Sequence, residues 1–200
     1  MFTYEQLVSK LQNSRVLKTP HIIEAFEKVD RKGFVPPKCL DIAYIDKPIP
    51  IGFGQTNSQP TTVAIMFELL QPQAGDHILD VGSGSGWTTA LLAEIVGEEG
   101  SVIGVEKIPE LVKFGQENLK ESNAKIVQAG DTLGLPEKAP FDKILISAAA
   151  TSLPKELLHQ LKIGGVLVIP VNNSIFEVER IGEEEFREEE FYGFSFVPLK

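Results

Sequence analysis

Two hundred residues, 42% hydrophobic and 24% charged, match an ordinary folded chain and exclude a mainly disordered, collagen-like or fibrous one. The single cysteine, Cys39, rules out an internal disulfide and fits a reducing, cytoplasmic setting. The net charge of −9 is unevenly spread: residues 177–190 carry eight Glu and two Arg, leaving only −3 for the rest, and no Lys/Arg cluster marks a nucleic-acid face.

In chain order, Tyr4 to Leu11 and His21 to Val29 show helical spacing of apolar residues, the second just after Pro20. Residues 44–60 hold three prolines and two glycines, which predicts an irregular loop. Its low charge and apolar content point to an ordered, functional loop. From Thr62 the pattern turns regular. Val63–Leu70 predicts a buried helix, Ile78–Val81 a strand, and Trp87–Val96 a helix ended by Gly97. Val102–Val105 predicts a strand, Glu110–Glu121 a helix, and Lys125–Ala129 and Lys143–Ile146 two more strands. Lys155–Leu161 predicts a helix and Val166–Ile169 a strand. Phe176–Ile181 and Phe191–Val197 predict two late strands joined by an acidic turn over 183–190.

Alternating strands and helices imply an α/β class, a doubly wound, Rossmann-like, mostly parallel sheet. The two late strands have no helix between them, so an antiparallel end to the sheet is expected. The chain is expected to be one domain over 1–200. Within it, 1–61 would supply N-terminal helices and an acceptor loop, 62–171 a ligand-binding core, and 172–200 the terminal strands. An acidic surface disfavours anionic membranes. No apolar run approaches the roughly 20 residues of a membrane span, and Met1–Glu5 lacks a signal pattern.

The sharpest local signal is Asp80-Val81-Gly82-Ser83-Gly84-Ser85-Gly86-Trp87, between a strand and a helix. A nicotinamide fingerprint would be G-x-G-x-x-G, but here the third glycine comes one residue early. A Walker loop would end in Gly-Lys, and no Lys is present. Asp80 before the turn would repel a pyrophosphate and suit an ammonium group. Twenty residues past Gly86 the next predicted strand leads to Glu106, placed to take both ribose hydroxyls. Asp131, past the third strand, could accept from an adenine amino group. A ligand with ammonium, ribose and adenine but no phosphate describes S-adenosylmethionine. No Cys/His spacing suggests a metal.

Pro50-Ile51-Gly52-Phe53-Gly54-Gln55-Thr56-Asn57-Ser58-Gln59-Pro60 lies just upstream of this turn. Together with Leu79–Gly86, Val105–Leu111, Ala139-Pro140-Phe141-Asp142 and Phe196–Leu199, it resembles the protein-L-isoaspartate O-methyltransferase family over most of the chain. The resemblance implies transfer of a methyl group from S-adenosylmethionine to the α-carboxylate of L-isoaspartyl residues in damaged proteins. The ester then closes to a succinimide, whose hydrolysis partly restores aspartate. It implies Ser58 as the active-site serine, with Gln55, Thr56 and Val197 against the substrate. It implies Gly82, Ser83, Gly84, Glu106 and Asp131 at the donor, and the matched segments extend that set to Asp80, Gly86, Lys107 and Thr132. Isoaspartyl proteins and peptides are then the expected partners of a cytoplasmic enzyme, with a monomer favoured and the oligomeric state left open.

The chain departs from the family pattern at Gln59-Pro60-Thr61 (often Ala-Pro-His), at Trp87 (commonly Tyr) and at Thr132 (commonly Gly). These departures bear on the acceptor more than the donor. Two other readings keep the donor site: esterification of a different peptide or small-molecule carboxylate, and a non-catalytic donor-binding module.

Overall fold

The computed structural model describes residues 2–199. Seven strands form one sheet in the order β5-β4-β3-β6-β7-β8-β9. The central five are β3 (His77–Val81), β4 (Ser101–Glu106), β5 (Ala124–Gln128), β6 (Phe141–Ile146) and β7 (Leu161–Val171), and their pairings are all parallel. β8 (Ser174–Arg180) and β9 (Phe186–Tyr192) add antiparallel pairs, as expected for strands joined without a crossover helix. The chain runs outward from β3 to β5 and then returns to β6 on the other side of β3. That reversal opens a crevice beyond the carboxyl ends of β3 and β6.

Helices α1 (Tyr4–Asn13), α2 (Pro20–Lys28), α3 (Pro60–Leu70), α4 (Trp87–Val96), α5 (Pro109–Asn118) and α6 (Lys155–Leu158) complete the architecture. Local chemistry sets their starts. Thr3 and Gln6 form a reciprocal capping box on α1. Proline occupies the first turn of α2, α3 and α5, where its missing N–H is harmless. One apolar cluster joins α1 to α4 with Ile78, Leu145, Val168 and Ile175 of the sheet. A second gathers Leu79, Val105, Ile144, Ile146, Leu167 and Ile169 with Leu157 and Leu158 of α6. Ile78 and Leu79 thus face opposite clusters, as neighbours on a strand buried on both faces must.

Three elements differ from expectation. The 44–60 loop contains a β-hairpin, β1 (Ile49–Gly52) with β2 (Gln55–Asn57). Its Phe53-Gly54 turn has φ of +53° and +75°, the positive-φ pair that matches strand twist in two-residue hairpins. The predicted helix over 155–161 shortens to Lys155–Leu158, because Leu161 already pairs with Phe141 and starts the eleven-residue β7. Most of the acidic 183–190 stretch is strand rather than turn. Glu177 lies opposite Glu189 and Glu179 opposite Arg187, with which it is ion-paired. An edge strand tolerates such charge on exposed faces. Among the described residues, no helix is long and apolar enough to cross a membrane.

Candidate active site

A cleft of about 330 Å³ opens at the carboxyl ends of the parallel strands. Residues 81–85 line it at the end of β3, 105–108 at the end of β4, 129–134 after β5 and 147–148 after β6. The hairpin contributes Ile51 and residues 55–58, and the C-terminal segment contributes 197–199. That segment is tied down by Ala149 N–H donating to Val197 O at 2.8 Å and Leu199 N–H donating to Ala149 O at 2.8 Å.

The glycine turn wraps around Glu106. Its Oε2 accepts from Gly84 N–H at 3.0 Å and its Oε1 from Ile108 N–H at 2.9 Å. The residue is only 7% exposed, so those two bonds offset much of the penalty of burying the charge. A carboxylate has about four lone-pair sites, so roughly two remain for a ligand's hydroxyls. Gly84, at φ +52°, is tightly placed: a Cβ there would lie 3.2 Å from Ile51 Cδ1, which would have to give by a few tenths of an ångström.

The structure brings Gln55, Thr56, Ser58, Gly82, Ser83, Gly84, Glu106, Lys107, Asp131, Thr132 and Val197 into this one cleft. Asp80 and Gly86 lie outside the lining. Asp80 is fully buried, and its Oδ2 accepts from Thr88 Oγ1 at 2.8 Å and Thr89 Oγ1 at 2.7 Å in the first turn of α4. It staples strand to helix beneath the turn. Burial pushes its carboxyl up to about 6, against the two hydroxyl bonds, and the nearby Glu106 charge adds to the rise. Gly86 is the N-cap of α4 at φ +88°. A Cβ there would lie 3.1 Å from Ile126 Cδ1 and 3.2 Å from Gly115 O, so its role is the close approach of α4 to α5 and β5.

Does this set of residues suit S-adenosylmethionine? Ser83 Oγ is buried without a hydrogen-bond partner among the described residues, and it belongs to a residue lining the cleft. An orphaned buried hydroxyl is costly unless a ligand satisfies it. Asp80 Oδ1 is the other orphan, just behind the turn. With the spare acceptors of Glu106 and the exposed carboxylate of Asp131, the lining offers oxygen acceptors to a cationic, hydroxyl-bearing nucleoside. The residues present fit the group.

Sequence reasoning missed Arg31, Asn57 and Ser85. Arg31 is 0% exposed although it starts a short charged turn, Arg31-Lys32-Gly33, that looks like surface. Its guanidinium donates to Asn57 Oδ1, and to the carbonyls of Ala43, Ile45, Lys47, Asn57 and Ser58, at 2.7–3.2 Å. Asn57 Nδ2 in turn donates to Ser85 Oγ at 3.1 Å, joining the hairpin to the glycine turn. Trp87 lies under the guanidinium at 5.4 Å, and its Nε1 donates to Val29 O. Among the described residues, no group of three or more His, Cys, Asp or Glu side chains is placed to hold a metal ion.

The comparisons with known proteins agree with this geometry. The family model for protein-L-isoaspartate(D-aspartate) O-methyltransferase matches residues 3–200. A protein-L-isoaspartate O-methyltransferase from Methanopyrus kandleri is 44% identical, covering 98% of this chain and 90% of that one. Its counterpart from Staphylothermus marinus is 41% identical over 97% and 92%. A Plasmodium falciparum chain assigned to the same family, solved with S-adenosyl-L-homocysteine, superposes with a TM-score of 0.88 at 26% identity, covering 98% of each chain. Sequence relatives and fold agree over nearly the full length, and the chain belongs to the protein-L-isoaspartate O-methyltransferase family.

Proposed function

We propose that this cleft is where the chain esterifies the α-carboxylate of L-isoaspartyl residues in damaged proteins and peptides, with Ser58 as the residue that touches the acceptor. The observation that carries the reading is that Ser58 and Glu106 line the same cleft from opposite parts of the chain. S-adenosylmethionine supplies a methyl group on a sulfonium, open to attack by an anionic oxygen. Glu106, Ser83 and Asp131 hold the nucleoside and amino-acid parts, with Gly82, Gly84, Lys107 and Thr132 around them. Gln55, Thr56 and Val197 flank the acceptor.

The chemistry asks little acid–base work of the protein. A carboxylate with a reference pKa of about 4 is already ionised at neutral pH, so no general base is needed. The residues must align the acceptor oxygen and strip its water. Ser58 Oγ makes no protein hydrogen bond among the described residues, so its proton is free to orient a carboxylate without neutralising it. Ile51, Val197 and Leu199 provide an apolar wall that excludes water.

A paired-peptide assay tests the reading. With labelled S-adenosylmethionine, a base-labile methyl ester should form on an isoaspartyl peptide and not on its normal aspartyl twin. Label on both peptides equally, or on neither, rejects it.

A further inference from the structure

We propose that Arg31 is a positioning residue that also selects an anionic acceptor: its buried, unpaired charge, held directly behind Ser58, favours a carboxylate over a neutral group in the cleft. The inference rests on the reading of this cleft as the site of carboxyl esterification.

The guanidinium has six hydrogen-bond partners. Every one is a neutral oxygen: Asn57 Oδ1 and five main-chain carbonyls. All five N–H groups are used, so the side chain can take no further ligand directly. The hydrogen bonds stabilise the charge but do not cancel it. The Trp87 face beneath it does the same. Asp46 is the carboxylate that acts on it, without a direct ion pair, and offsets only part of its charge. It accepts from Thr61 N–H at 3.0 Å and Thr61 Oγ1 at 2.7 Å, with Lys10 3.9 Å away. Burial pulls the guanidinium down only to about 10, so it stays charged at neutral pH.

This charge also sits where the cleft needs it. The charged residues lining the cleft are Glu106, Lys107 and Asp131, two anions against one cation. Those residues suit a cationic donor and disfavour an anionic acceptor. Arg31 Nη2 lies 2.8 Å from the carbonyl oxygen of Ser58 and 3.2 Å from that of Asn57, so its charge stands against the acceptor side of the wall. A buried charge is poorly screened by salt. At protein-like permittivity and a separation of several ångströms, it is worth roughly tenfold or more in binding an anion. The same side chain also clamps residues 43–58, so charge and clamp must be separated by experiment.

Two variants separate them. Arg31→Gln removes the charge and most of the clamp. Arg31→Lys keeps the charge and cuts the five-donor clamp. The readout is the ratio of dissociation constants for two peptides in the presence of saturating S-adenosylhomocysteine. One carries isoaspartate; the other has its α-carboxylate converted to the α-carboxamide. The expected result is a preference for the carboxylate in the wild type that falls by about tenfold in Arg31→Gln and survives in Arg31→Lys, whose kcat drops. An Arg31→Gln protein with the wild-type preference overturns the proposal, as does an Arg31→Lys protein that has lost it. If Arg31→Gln does not fold, Arg31→Lys decides alone. A wild type that esterifies no isoaspartyl peptide overturns instead the reading of the cleft itself.

Discussion

Replacing Ser58 by alanine is expected to lower kcat/KM for an isoaspartyl peptide by roughly 10- to 100-fold, the worth of one hydrogen bond to a charged group. Donor affinity should stay within about twofold, because the hydroxyl is assigned to the acceptor and not the nucleoside. The fold should be undisturbed. Ser58 contributes its carbonyl, not its hydroxyl, to the Arg31 clamp, and that carbonyl survives the change. Steady-state kinetics on a peptide series, with calorimetry of S-adenosylhomocysteine, gives both numbers. Full turnover by Ser58→Ala would remove the acceptor assignment and leave the cleft with a donor site alone.

The second large effect is expected at Glu106. Glu106→Ala removes two charge-assisted acceptors for ribose, which should weaken donor binding by about 100- to 1,000-fold. It also strips the partners from Gly84 N–H and Ile108 N–H, so part of the loss comes from a loosened glycine turn. Glu106→Gln separates the two contributions. Its amide oxygen can still receive one N–H, but the negative charge is gone. Calorimetry should place Glu106→Gln between the wild type and Glu106→Ala. Unchanged donor affinity in both variants would put the nucleoside elsewhere.

How far the sequence carries this account depends on where each residue finds its partners. The central sheet was legible because β3, β4 and β6 are short apolar runs set between glycine turns and periodic helices. Glu106 was legible because strand ends converge by topology, and a carboxylate at that offset from the turn has few other roles. Asp80 was less legible, because a strand end does not say which way its side chain points. Thr88 and Thr89 turn it under α4, and the relevant signal was two hydroxyls in the first helical turn.

The hairpin at 49–57 was hidden by Pro50 and by a turn built on Phe53-Gly54 rather than Asn-Gly. Phe53 sits at φ +53° with its side chain exposed, so the backbone pairing of the hairpin sets that conformation against the residue's own preference. β9 was hidden for a different reason. Its glutamates read as a solvated tip, yet an outer strand can carry charge on both faces while its backbone pairs with β8. Arg31 was illegible because its partners are mostly carbonyl groups spread over residues 43–58, and main-chain acceptors leave no trace in composition or spacing.

The most direct test of the central claim is a crystal grown with S-adenosylhomocysteine and an isoaspartyl peptide together. The account predicts ribose hydroxyls on Glu106 and the α-carboxylate within hydrogen-bonding distance of Ser58 Oγ. A nucleoside away from Glu106, or a peptide carboxylate bound outside the wall formed by residues 55–58, would contradict it.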